Sequence, residues 1–243
     1  MDNSRSITNY LKRTKDGVYV NIDFLDKLKP NTFDLTKNGR IQSTPFGSNS
    51  NIVISLNSLK DRKYNKVEHP LHPDRLNLLA KKILNGRLND FIKQNNKMPE
   101  FKGYVNKKIY TSKVADTQYE CSLLNIYYRE EDQMFVVDIK IGVGDLVKDE
   151  TNRNDFQNFK KKNNIGILIP YEEMELMASQ IIDFIENYRL TMTPAMFQGR
   201  FDYECKCKTI FKSCIGDSKK IREIQLEFNK LSEEEKQQKL KMK

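Results

Sequence analysis

No stretch of this sequence approaches the roughly 20 consecutive apolar residues that a membrane-spanning helix requires, so no membrane association is expected. The N-terminus, MDNSRSITNYLKR, lacks the apolar segment of a secretory signal. There are four cysteines at irregular spacing, which excludes a disulfide framework of the kind small secreted domains use, and the chain reads as intracellular. Only ten glycines occur in 243 residues, with no G-x-x-x-x-G-K-[ST], no G-x-G-x-x-G after a strand and no G-x-S-x-G. Phosphate-cradling loops and the nucleophile elbow of the hydrolases are therefore absent from the sequence. Nothing in the sequence calls for a cofactor.

What is present is positive charge. Lys and Arg number 42 against 33 Asp and Glu, a net charge of +9 and a pI near 9.2, which attracts polyanions and nucleic acid first among them. The abundance of Lys over Arg, and of Asn, fits an AT-rich coding genome such as that of a phage or plasmid. Aromatic residues reach 10%, enough for a folded core in a chain that is otherwise polar. The length suits one large domain or two small ones.

Period-2 alternation predicts strands in GVYVNIDF (17–24), NIVISLN (51–57), FKGYVNKKIY (101–110), YECSLLNIYYR (119–129), MFVVDIKIG (134–142) and IGILI (165–169), with a weaker one around 40–46. An acidic turn at 130–133 makes a hairpin of the pair around it. Spacing of three and four predicts helices over 74–95, weakened in its middle by Gly86, and from 170 to the TMTP at 191–194. Residues 1–16 read as a flexible N-terminus, HPLHPDR (69–75) as a proline-punctuated turn and 143–163 as a charged loop. The fold class is α+β: antiparallel sheets with helices packed on one face, as a degenerate tandem of strand-rich units each followed by a helix. The domain expected is 17–216, with halves 17–96 and 101–216, followed by a charged helical tail at 217–243 that buries little and suits a protein partner.

YECKCKTIFKSC (203–214) holds three of the four cysteines. A zinc site would use Cys205, Cys207 and Cys214 with Cys121, His69 or His72, but C-x-C-x6-C is not the paired C-x2-C spacing. Two histidines three apart in HPLHP are likewise too few for a site. Without C-x-x-C a redox device is not indicated. The alternation instead predicts a strand with Lys206, Lys208 and Lys212 on its outer face, and no metal.

In FKGYVNKKIY, Lys102, Tyr104, Lys108 and Tyr110 fall on one side, and Tyr127 and Lys140 decorate the next strands. Bases stack on such rings and ammonium groups track phosphates, so these residues, flanked by Lys206 and Lys208, are the expected surface for single-stranded nucleic acid. Function in replication, transcription or recombination follows from that reading, with homo-oligomerisation left open. A sheet followed by the helix in IGILIPYEEMELMASQIIDFI resembles, over 101–190, the repeating unit of the Whirly family of single-stranded DNA-binding proteins, with a fainter echo in 17–96. The resemblance implies the sheet-plus-helix fold and single-stranded DNA as partner. The lysine- and glycine-rich strand motif of plant Whirly proteins has no counterpart here, so it assigns no site residue. Two rivals stand beside it. D-x-K in VVDIKIG looks like the core of the PD-(D/E)xK nucleases, with Asp138 on a divalent metal, Lys140 beside the attacking water and a second acid from Glu120, Glu131 or Asp132. The other is a scaffold protein that binds a protein partner.

Overall fold

A computed structural model describes residues 5–29, 46, 50–95, 103–115, 117–148, 152 and 154–210, with side chains as far as 93 in the second helix and 194 in the last. The elements run β1 (Ser6–Arg13), β2 (Tyr19–Lys27), β3 (Asn51–Lys60), β4 (Lys63–Leu71), α1 (Pro73–Leu84), α2 (Leu88–Asn95), β5 (Tyr104–Lys113), β6 (Gln118–Arg129), β7 (Met134–Lys148), β8 (Asn154–Pro170) and α3 (Tyr171–Ile210). They make two antiparallel four-stranded sheets, in the orders β1-β2-β3-β4 and β5-β6-β7-β8, each followed by helix. This is the α+β tandem that the alternation implied. Both sheets, α1, α2 and α3 as far as Ile185 belong to one unit, and the continuation of α3 from Glu186 belongs to a second.

In sheet one, Ile22, Phe24, Ile52, Ile54 and Leu56 lie on the inner face, fully buried, and Leu124, Ile126, Val137, Ile139 and Ile167 do the same in sheet two. The sheets cross. Asn65 at one end of β4 exchanges amide hydrogen bonds with Asn163 of β8, at 3.1 and 2.5 Å. Four residues on, His69 of β4 reaches Asn106 of β5 and Ser122 of β6. Four residues of strand cover about 13 Å, close to the ~14 Å spanned by three gaps between neighbouring strands. A single strand of sheet one thus traverses the width of sheet two, the arrangement of an orthogonal sandwich.

Helices close the core of this unit. Leu76, Leu79 and Ile83 of α1 and Met174, Met177 and Ile181 of α3 share one apolar pocket with Phe24 of sheet one and Ile126 of sheet two. The caps of α1 follow from sequence. Pro73 sits at the first turn, where no backbone donor is missed, and the His72 side chain accepts from the Asp74 N–H at 3.2 Å. At the other end Gly86 has φ +63, its N–H bonds Ile83 O and the Arg87 N–H bonds Lys82 O, a Schellman motif.

His69 is the polar centre of the sheet junction and is wholly inaccessible to solvent. Its Nε2–H donates to Asn106 Oδ1 at 2.9 Å, and its Nδ1 accepts from the Ser122 hydroxyl at 2.9 Å. The Tyr110 hydroxyl stands 2.9 Å from Ser122 Oγ and 3.1 Å from the Glu68 carbonyl oxygen, which it can serve in turn. Burial pulls the imidazole down to about 4, so it is neutral at physiological pH.

The second unit is described only in part. Phe46 stacks on Tyr188 with ring centroids 5.3 Å apart, and the Arg189 guanidinium, 3.1 Å from Glu186, lies 5.6 Å over the Phe46 ring.

Several expectations are corrected. Residues 6–13, expected to be flexible, form the edge strand β1, whose alternation is masked because only Thr8 among them is buried. HPL at 69–71 is the end of β4, not a turn; Pro70 is tolerated because β4 is an edge strand. Gly86 separates two helices rather than weakening one. The charged segment 143–163 is mostly strand: β7 runs to Lys148 and β8 starts at Asn154, with irregular register near Gly142 and Gly144 that breaks the period. TMTP does not stop α3, which carries Pro194 inside it; an interior proline removes one hydrogen bond without forcing an end. Residues 203–210 are helical, not a strand. The expected strand at 40–46, apart from Phe46, and the tail at 217–243 lie outside the described residues.

Candidate nucleic-acid interface

The two sheets present different outer faces. In sheet one the register aligns Arg13, Tyr19, Leu59 and Tyr64 in one row across all four strands. The row is open: Tyr64 is 65% exposed, Leu59 43% and Tyr19 41%. Alternation requires these side chains to point away from the core, because their neighbours Val20 and Ile22 are buried on the other side. The Arg13 guanidinium lies 5.3 Å from the Tyr19 ring centroid, a cation–π contact.

The next row holds Leu11, Asn21, Asn57 and Lys66. Here the Tyr64 hydroxyl donates to Asn57 Oδ1 at 2.7 Å, and the amide nitrogens of Asn21 and Asn57 donate to Asp23 Oδ2 at 2.6 and 3.4 Å. Desolvation raises the Asp23 carboxyl, against these hydrogen bonds. Leu11 is 61% exposed, so the two rows together form a flat surface of rings, aliphatic carbons and amides.

Both hairpin tips of sheet one lie at this end. The turn after β1 carries Lys15, Asp16 and Gly17; the turn after β3 is Asp61-Arg62, both with positive φ, between Lys60 and Lys63. Arg13, Lys15, Lys60, Arg62 and Lys63 therefore outnumber Asp16 and Asp61 at the rim of the aromatic row. A tight two-residue loop of this kind holds its flanking lysines on fixed strand ends.

Sheet two covers its own outer face. Past the irregularities at Gly142 and Gly144, the long β7–β8 arm carries Phe156 onto Cys121 and Leu123, with Val105, Ile109 and Phe159 packed around them. Lys107 bonds Asp155 at 3.1 Å and lies 5.0 Å over the Phe156 ring. A Cβ at Gly142 would sit 2.2 Å from the Lys160 carbonyl oxygen, so the two strands approach there only without a side chain.

This geometry divides the residues expected to form the binding surface. Tyr104 and Tyr110 do not face outward. Tyr104 pairs with Ile126 of the inner face and stacks on Phe91 at 5.9 Å, the Tyr110 hydroxyl bonds Ser122 of that face within the His69 network, and burial raises both phenols. Lys108, in register with Ser122, is exposed at the edge of the same face. Tyr127 and Lys140 are half-buried on the outer face, where Lys140 lies 3.5 Å from Asp138. Lys102 lies outside the described residues, as do the side chains of Lys206 and Lys208. The rings and cations that do share one open face are Arg13, Tyr19 and Tyr64, whose sequence signal is weak because 1–16 reads as flexible and 58–68 carries no assigned element. Tyr19 on the polar side of GVYVNIDF was the available signal.

The nuclease arrangement is not assembled among the described residues. Asp138 pairs with Asn125 on the outer face, whereas alternation puts Glu120 on the opposite face with Ser122. Glu131 and Asp132 sit in the hairpin turn some four residues along the strand, about 13 Å away. Asp132 is engaged there by Arg129, which lowers its carboxyl. No group of three His, Cys, Asp or Glu side chains converges among the described residues. The two histidines proposed for zinc have other work, His69 at the sheet junction and His72 at the helix cap. No helix among the described residues is long and apolar enough to cross a membrane.

No protein-family model matches the chain, and no curated protein matches it. Solved structures do. The plant transcriptional regulator PBF-2 is 11% identical with a TM-score of 0.39, over 77% of this chain and 93% of that one. WHY1 from Arabidopsis thaliana is 10% identical at 0.37, over 89% and 96%, and WHY3 from the same plant 8% at 0.39, over 78% and 92%. These are Whirly proteins, so the resemblance expected from the order of elements is found, as a likeness of topology alone.

Proposed function

We propose that the protein binds single-stranded nucleic acid, largely without regard to sequence, across the outer face of its first sheet, and that it acts in replication, transcription or recombination. The observation that carries this reading is the Arg13–Tyr19–Leu59–Tyr64 row, open to solvent and rimmed by the cations of two hairpin tips. Unstacked bases lie on rings of this kind for about 1–3 kcal/mol each, and the rim supplies the charge that tracks phosphates. A duplex hides its base faces and gains only the electrostatic part. The tail at 217–243 is left for a protein partner.

Fluorescence anisotropy with a labelled oligonucleotide tests it. Single strands are expected to bind more tightly than duplex, with affinity falling steeply as salt rises. Tyr19→Ala and Tyr64→Ala should each weaken binding about five- to a hundred-fold, the range of one lost stacking platform. Absence of binding at low salt would defeat the reading and leave the scaffold role, tested through partners of the tail.

A further inference from the structure

Beside β4, on the far side of its edge from β3, lies a cleft of about 320 Å³ lined by Lys66, Glu68, Tyr110, Glu120, Ile141 and Lys162. That is the lower end of the size range of small-ligand pockets, room for one compact polar molecule. Its makeup is ordered. Ile141 gives the accessible apolar wall, with Val67, Cys121 and Gly142 buried. Lys162 stands at the end of an exposed Lys160-Lys161-Lys162 run on β8. Glu68 is already matched by Lys66 at 2.6 Å, and the Tyr110 hydroxyl is held by Ser122 and the Glu68 carbonyl. Glu120 is exposed and lines the cleft from β6, whereas Lys162 lines it from β8, so the cleft offers one ammonium and one carboxylate acceptor on different strands.

The cleft is also continuous with the surface just described. Lys66 belongs to the second row of sheet one and lines the cleft as well, and the Asn65–Asn163 joint ties β4 to the strand that carries Lys162. A strand leaving Tyr64 meets this opening within two residues of β4, about 7 Å.

Resting on the single-strand reading, we infer that this cleft is a subsite for one nucleotide of the bound strand, and that it selects a base carrying an exocyclic amino group. The phosphate lies toward Lys162, the base lies against Ile141, and Glu120 accepts from the amino group. Cytosine suits it through its N4 amino donor. Thymine does not: its imide N–H is flanked by two carbonyl oxygens that face the carboxylate.

The test compares labelled (dC)12 and (dT)12 by anisotropy on the full chain. The wild-type protein should prefer (dC)12 by about five-fold, the bottom of what one well-placed base contact discriminates. Glu120→Gln, a surface substitution, should reduce the two affinities to parity, because a neutral amide serves either base. Lys162→Ala should weaken both equally and lower the slope of log Kd against log salt by about one. Binding of both oligonucleotides with no preference, or a preference that survives Glu120→Gln, would overturn the cleft and leave the open face standing. Failure of both to bind at low salt would overturn the single-strand reading and the cleft with it.

Discussion

The chain builds a four-stranded antiparallel sheet twice, and the two copies spend their outer faces differently. In sheet one the strands are 8 to 10 residues long, and rings and cations remain open to solvent. In sheet two β7 and β8 reach 15 and 17 residues, and their surplus folds back to bury Cys121, Leu123 and Phe156 under a second small core. The same local pattern therefore yields a binding face where the strands stop short and a structural face where they run on. Lysines and tyrosines in a strand do not say which of the two they serve; what lies over them decides it.

The contrast predicts a graded set of effects. Phe156→Ala should cost about 3–5 kcal/mol, the usual penalty for emptying an aromatic site in a closed core, read as a fall in the urea midpoint at unchanged slope. A cost below 1 kcal/mol would mean that the arm only rests on the sheet. Acid should come next. His69 is neutral in the folded chain with its pKa lowered to about 4, while the unfolded chain titrates near 6.5. Its contribution is thus complete above pH 6.5 and is lost as pH falls toward 4, by about 3 kcal/mol in total, because protons bind the unfolded state first. Melting followed between pH 7 and pH 4 should show that decline, and His69→Gln should flatten it; an identical profile in the variant would remove His69 from the account. The smallest effect belongs to the open face. Tyr19→Ala should change stability by no more than about 0.5 kcal/mol, as surface substitutions do, while it weakens oligonucleotide binding. A stability loss as large as that of Phe156→Ala would show that sheet one is covered after all.

Much of the architecture was legible in the residues. Ile22 with Phe24, and Phe135 through Ile139, alternate so regularly that the strands and their buried sides could be named, and the spacing of Met174, Met177, Ala178, Ile181 and Ile185 identified the start of α3 and its buried face. Asn85-Gly86 carries the signal of a helix end, but the apolar spacing on both sides of it reads as one helix with a weak interior. Elsewhere the signal was masked. β1 is an edge with little to bury, Pro70 resembles a breaker until β4 is known to be an edge, and the register irregularities at Gly142 and Gly144 erase the period where β7 bends. The helical stretch 203–210 alternates like a strand, because Cys and Lys at every second position satisfy either reading when nothing specifies the partner.

For the candidate site the division is sharper. Composition by itself determined that the protein is basic and carries tyrosines among its lysines, and alternation determined which residues share a side of each strand. Whether that side is inside or outside was settled only by the crossing of the sheets. Tyr104, Tyr110 and Tyr19 all sit in alternating strands, yet β4 passes over the first pair's sheet and draws Tyr110 into the His69 network, while the third stays in water. Period 2 fixes two faces without labelling them, and the label comes from contacts between residues as distant in sequence as His69 and Ser122, which no local pattern encodes.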